Sequence, residues 1–300
     1  MNHDGTDQKT QLWHRLIDEY SCCQPDRSHV HELENLPQEI AIGELLMDCV
    51  SKVQKTEPSF KLELVVDVGG GNGFMAAVVG EKLKSDSLVI DPFFPGHSID
   101  CCPRLWKDTP EEARVRPSKP RKYTIHRQMA LFKDTTWSED IGTDPSCTAF
   151  IAKHLCGSAI DECLRHLEHQ KCLPRILVLA PCCFHRCDYD TYISHGFLKD
   201  VLGVEDEMSF RSVTRITDWS KSTYQEEHKK KMKNGKHHGK KTMHDLIPCS
   251  NGLAYTVEAL LNYGRALWLE KHGYVVHRVQ YVPSTVTPKN KCIVAVRYSQ

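Results

Sequence analysis

The sequence predicts an α/β fold: a mostly parallel sheet, covered by helices on both faces and finished by an antiparallel hairpin. Three observations carry this. Apolar β-type runs recur at "KLELVVDV", "SLVID", "CTAFIA" and "RILVL". Helical patterns alternate with them, the rhythm of a parallel sheet buried on both sides. Near the C-terminus, "YVVHRVQYV" (274–282) and "KCIVAVRY" (291–298) are joined by about eight residues, too few for a parallel crossover, so these two strands run antiparallel.

In chain order, residues 8–24 and 38–55 read as helices. "IAIGELLMDCVSKV" places apolar residues on one face at helical spacing, and Pro58 closes the section. This predicts a helical N-terminal extension at 1–58 ahead of a main domain at 59–300. The first strand runs into a glycine cluster and then a helix, "GFMAAVVGEKL"; "SLVID" (87–91) is the second strand. Residues 92–121 carry many prolines and charges and read as a long irregular loop. The strands within 147–157 and 175–183 flank an amphipathic helix, "SAIDECLRHLEHQ". A polar, basic stretch at about 221–247 reads as a flexible insertion. Beyond it, 252–273 is a long helix ending at a glycine.

Composition narrows the function classes. The 300 residues are 40% apolar, enough for a real core, and formal net charge is +0. Affinity for nucleic acid must therefore come from a local patch, for which "HKKKMKNGKHHGKK" (228–241) is the candidate. Mean hydropathy is −0.45, and no stretch approaches the roughly 20 apolar residues needed to span a bilayer. The first 20 residues lack a basic-then-apolar signal segment, so an intracellular protein, in nucleus and/or cytoplasm, is expected. Fourteen cysteines in that setting read as reduced thiols, and C-x-x-C spacing occurs nowhere.

The strongest motif is "DVGGGNG", Asp67 to Gly73, between a strand and a helix. Gly69, Gly71 and Gly73 allow a tight turn and close approach of backbone to ligand. Asp91 ends the next strand, where a carboxylate can bind ribose hydroxyls. The spacing lacks the two-residue gap of the dinucleotide form. Asp67, two positions before the first glycine, suits a cationic methionine end. Together they favour S-adenosyl-L-methionine over NAD. A parallel sheet closed by an antiparallel hairpin is similar to the Rossmann-like class I methyltransferases, which implies a seven-stranded sheet.

In such sheets chemistry sits at the carboxyl ends of the strands. The loop after the fourth strand is "KHLCG", with Lys153, His154 and Cys156. The loop after the fifth is "PCCFHRC", and the two are expected to face each other. With "DECLRHL", "YDTYISHGFL", "ITDW" and "GRALWLEKHGY" in the same order, these segments resemble the Trm-thirteen-type tRNA 2′-O-methyltransferases of eukaryotes, over roughly residues 60–300. The resemblance implies transfer of a methyl group from S-adenosylmethionine to a ribose 2′-hydroxyl of tRNA, in the acceptor stem at position four. The sequence departs from that family at Phe184, where a histidine is usual, and at Glu258 and Asn262, in place of a lysine and an aspartate. It also departs around "YTIHRQMALF" and lacks the family's N-terminal zinc modules.

That chemistry needs an aligned oxygen nucleophile and a base. His154 and His185 are the candidate bases. Lys153 would lower the hydroxyl pKa or hold the adjacent phosphate, and Arg186 would bind phosphate bidentately. A zinc site from Cys156, Cys182, His185 and Cys187 is the competing use of these residues. Alternation along an extended chain would let only one of Cys182 and Cys183 serve, and because the spacing is not that of a standard zinc site no metal is assigned. RNA cytosine-C5 methylation through Cys182 or Cys183 is the alternative chemistry, but "AKHLCG" lacks the acidic residue it needs. A non-catalytic RNA-binding subunit of the same fold is the third alternative, against which the intact "DVGGGNG" argues.

Overall fold

The computed structural model describes residues 35–93, 123–153, 155–219 and 250–299. The helix expected at 8–24, most of the loop expected at 92–121 and the basic insertion lie outside the described residues. The strand order is β3-β2-β1-β4-β5-β7-β6 in one seven-stranded sheet. This is the α/β arrangement expected from the sequence. No helix among the described residues is long and apolar enough to cross a membrane.

The chain divides into two compact units. The first holds β1 (Leu64–Val68), β2 (Asp86–Ile90), β3 (Ile125–Gln128) and β4 (Thr148–Ala152). All pair in parallel, with Asp67 beside Val89 of β2 and Ile151 of β4. β1 and β4 are fully buried, which is why both read as continuous apolar runs rather than alternating ones. The order reverses at β1 and β4, so their carboxyl ends flank the crevice where ligands settle in open α/β sheets.

Helix α1 (Leu36–Thr56) begins with a proline in its first turn and buries Ile42, Leu46, Cys49, Val50 and Val53 along one stripe. It packs into the same core as α2 (Phe74–Leu83), through Leu36, Phe74, Ala77 and Val78. Apolar residues on almost every side of the first two turns of α2 account for the burial of residues 74–80. A short helix α3 (Trp137–Ile141) brings Trp137 edge-on to Phe150, with ring centroids 5.0 Å apart.

The second unit contains α4 (Ala159–His169), most of β5 (Ile176–Leu179), α5 (His195–Leu202), α6 (Glu207–Arg215), α7 (Ser250–Lys271) and the antiparallel pair β6 (Val275–Gln280) and β7 (Lys291–Val296). β7 is mostly buried, while β6 is exposed at four of its six positions and half-buried at Val276 and Val279. A one-turn 3-10 helix, Phe184–Arg186, follows β5.

Candidate active site

In the first unit the site is built on the turn after β1. Gly69, Gly71 and Gly73 all have positive φ (70°, 47° and 74°), a region that costs any residue with a Cβ. The Asp91 carboxylate accepts from the Gly71 amide at 3.1 Å and from the Phe93 amide at 2.8 Å, so it fixes the loop from the end of β2. Arg127 of β3 donates to the Gly71 carbonyl at 2.8 Å. Asn72 accepts from the Phe74 amide at 2.8 Å and satisfies one orphan donor of α2. A methyl group built on Gly71 would meet nothing within 4 Å, so the loop presents bare backbone to open space.

Asp67 lies beneath this loop. It is 1% exposed, and a Cβ at Gly70 would fall 2.5 Å from its carboxyl carbon. Neither carboxyl oxygen has a hydrogen-bond partner among the described residues. Burial, helped by the nearby Glu39 carboxylate and opposed by Arg127 and Lys153, pushes Asp67 up to about 8. The folded protein therefore keeps a neutral, unsatisfied carboxyl at the base of the glycine turn.

Lys153, one residue past β4, is 6% exposed, and its ammonium is committed to the start of α1. It pairs with Glu39 at 3.1 Å and donates to the Asn35 carbonyl and side-chain oxygens at 3.3 Å each. The sequence expectation had it reaching an RNA phosphate or a hydroxyl; here its three donors have protein partners. Glu39 and Asn35, in a segment assigned to a separate extension, belong to this cluster. The sign in the sequence was a carboxylate in the first turn of an otherwise apolar helix face.

The second unit builds its site around the 3-10 turn after β5. Phe184 is 1% exposed and joins the core of Cys187, Tyr192, Leu198, Phe210 and Leu261. The Arg265 guanidinium and the Lys289 ammonium lie 5.5 and 5.8 Å from its ring centroid. An aromatic ring thus fills the place where the resembling family offers a histidine. Arg265, fully buried, grips fully buried Asp161 with two donors at 3.1 and 2.6 Å. Two further donors reach Asn262 at 3.2 Å and the Cys187 sulfur at 3.3 Å. Glu258 pairs with Lys289. The two departures on α7, Glu258 and Asn262, are therefore both partnered within this unit.

Because Phe184 turns inward, its neighbours His185 and Arg186 turn outward to solvent. His185 Nδ1 meets Asp218 Oδ1 at 2.5 Å, on a second 3-10 turn, Ile216–Trp219. Asp218 belongs to "ITDW", a segment that resemblance marked but residue chemistry did not. A lone aspartate far along the chain gave no other signal. His154 lies outside the described residues.

Three thiols complete this unit's site. Cys156 and Cys182 form a parallel bridge with their sulfurs 3.1 Å apart, and the Gly157 amide donates to the Cys182 carbonyl at 3.1 Å. Gly157 has φ 61°, and a Cβ there would lie 2.6 Å from the Arg186 carbonyl, so glycine lets this strand end lie against the 3-10 turn. This is the expected apposition of "CG" with "PCCFHRC". The expectation that only one of Cys182 and Cys183 faces this way is corrected. Cys183 adopts φ 50°, which breaks the extended alternation and brings all three sulfurs within 4.8 Å of one another. Cys187 instead faces Arg265. Hydrogen bonding from Cys182, with Arg186 and His185 nearby, outweighs burial and lowers Cys156 to about 6. Its hydrogen bond with Cys156, then burial, raises Cys182; burial, then Cys156, raises Cys183. The two cysteines placed for covalent attack on a pyrimidine are thus held as thiols.

Comparison with known proteins places these features in a lineage. A family model described as Methyltransferase TRM13 matches residues 115–296. The chain is 27% identical over 149 residues to the tRNA:m(4)X modification enzyme TRM13 of Schizosaccharomyces pombe, covering 49% of this chain and 38% of that protein. It is 24% identical over 273 residues to the enzyme of the same name from Yarrowia lipolytica, covering 82% of this chain and 57% of that protein. The chain thus spans roughly half the length of these relatives or less. Among solved structures, the magnesium protoporphyrin IX methyltransferase of Synechocystis PCC 6803 aligns at 13% identity with a TM-score of 0.38, covering 98% of this chain and 100% of that one.

Proposed function

Since this chain belongs to the Methyltransferase TRM13 family, we propose that it transfers a methyl group from S-adenosylmethionine to a ribose 2′-hydroxyl of tRNA, in the acceptor stem at position four. The relatives' name, tRNA:m(4)X modification enzyme, supports the tRNA substrate. The observation that carries oxygen methylation is the His185–Asp218 pair. A carboxylate on Nδ1 fixes the imidazole's orientation and leaves Nε2 to take a proton from a hydroxyl.

The residues of the first unit fit the cofactor. The buried, unpartnered Asp67 carboxyl suits a cationic group, and the glycine turn offers backbone to a close ligand. Asp91 spends one bond per oxygen on the loop and keeps lone pairs for ribose hydroxyls. When bound, S-adenosylmethionine supplies a methyl group activated by its sulfonium. The protein does the rest through its own side chains. His185 accepts the 2′-hydroxyl proton at Nε2. Arg186, exposed beside it, binds a backbone phosphate bidentately. Lys153 positions Glu39 beside Asp67, and His154 has no assigned part.

The test is turnover on an unmodified tRNA transcript with labelled cofactor. His185→Ala lowers kcat by about 10²–10⁴-fold, the usual contribution of a positioned base. Asp218→Asn lowers it by at least about tenfold, and cofactor affinity is unchanged in both. Wild-type turnover in both variants would remove His185 from the reaction.

A further inference from the structure

We propose that Cys156, Cys182 and Cys183 form a binding site for one thiophilic metal ion, of which Zn²⁺ is the expected occupant. The three sulfurs all lie within 4.8 Å of one another. A tetrahedral zinc with Zn–S near 2.3 Å holds its sulfurs about 3.8 Å apart. The Cys156–Cys182 pair, at 3.1 Å, need open only by a fraction of an ångström to admit the ion. Among the described residues the group has these three members.

Packing alone does not account for the arrangement. Cys163, Cys172 and Cys292 are buried cysteines of the ordinary apolar kind, whereas Cys156, Cys182 and Cys183 are all half-exposed. Cys183 carries the left-handed φ of 50°, a conformation unfavourable for a residue with a Cβ and one that turns its sulfur toward the other two. Three thiolates around a divalent ion leave one net negative charge, and Arg186 on the adjoining 3-10 turn supplies a cation nearby. Soft thiolate donors select zinc over the hard cations magnesium and calcium. Thiol protons are released to solvent as the ion binds, so affinity rises with pH. Bound there, the ion ties Cys156 to Cys182 and Cys183, and so fixes the turn that carries His185 and Arg186.

This inference is independent of methyl transfer, because its readout is metal content. The full-length protein is purified without a histidine tag in reducing buffer and analysed for zinc, then stripped and titrated with Co²⁺. One zinc per chain, and a thiolate-to-cobalt charge-transfer band that saturates at one equivalent, are expected. Cys183→Ser and Cys156→Ser each lose the zinc and the band while far-ultraviolet circular dichroism stays that of wild type; Cys147→Ser keeps both. Wild-type protein that folds without zinc and gives no cobalt band overturns the proposal. So does zinc retained in both serine variants, which places the ion elsewhere in the chain. Should the serine variants fail to fold, near-ultraviolet cobalt spectra of the wild type with and without prior alkylation of Cys156 decide: a band that survives alkylation contradicts the site.

Discussion

Asp67 is the residue in which the account is most exposed to test. Its folded value, about 8, lies well above the roughly 3.9 of an unfolded aspartate. Between those values the folded protein holds a proton that the unfolded chain has released. Stability is therefore full below about pH 4, falls as pH rises toward 8, and is flat above it. Asp67→Asn removes this slope, so its stability relative to wild type improves from pH 5 to pH 9, by an amount on the order of a few kcal/mol. Thermal melts at the two pH values measure it. A cationic ligand beside Asp67 draws that proton off, so the same variant weakens S-adenosylmethionine binding by about tenfold or more and abolishes proton release on binding, read by calorimetry in buffers of different ionisation enthalpy. Unchanged affinity would show that the cofactor's positive end lies elsewhere. Asp67 was legible in the sequence because a carboxylate stood at a fixed offset from glycines. Asp218 was not, because a partner supplied from a distant turn leaves no local spacing. Phe184 looked like a lost histidine. Its role as the aromatic floor under Arg265 and Lys289 depends on residues about 80 and 105 positions away, contacts that local pattern cannot reveal.

At the scale of elements, α4 and α7 are joined by the fully buried Arg265–Asp161 pair. Both helices were found in the sequence, but nothing local to either one showed that Asp161 and Arg265 pair. Burial of an ion pair is favourable only when its groups are well hydrogen-bonded; Asp161 takes two of Arg265's donors, and Asn262 and Cys187 take one each. Arg265→Met leaves Asp161 buried and unpaired, and destabilises the protein by about 3–5 kcal/mol in denaturant titration. The double variant Arg265→Met, Asp161→Leu recovers most of that loss. Additive losses would mean that the two side chains do not act as a pair. Strand identity was plain for β1, β2, β4 and β5, whose burial reads as unbroken apolar runs, but not for β3, whose "IHRQ" is mostly polar and only partly buried. Short helices α3, α5 and α6 were not plain either, since 5, 8 and 9 residues give too few turns for periodicity to stand out. Helix α1 was found but misjudged in context: Glu39 and its bond to Lys153 tie it to the β1–β4 ends rather than to an appendage.

For the whole molecule, a formal net charge of +0 means that overall attraction cannot bring a polyanion to this protein. On the proposed function, recognition of an A-form acceptor stem would rest on local groups and on shape, with little readout of bases. Arg186, exposed next to the His185–Asp218 pair, would be such a group in the second unit. On the same proposal, the buried strands and glycines of the first unit would take the small cofactor, and Arg186 beside the His185–Asp218 pair in the second would take the ribose-phosphate acceptor. The central claim is that the acceptor is a ribose oxygen of the tRNA acceptor stem. Its most direct test is mass mapping of tRNA nucleosides from cells lacking this protein, with and without a His185→Ala copy restored. The account predicts loss of 2′-O-methylation at position four that wild type repairs and His185→Ala does not. Intact ribose methylation with loss of a methylated base instead would contradict it.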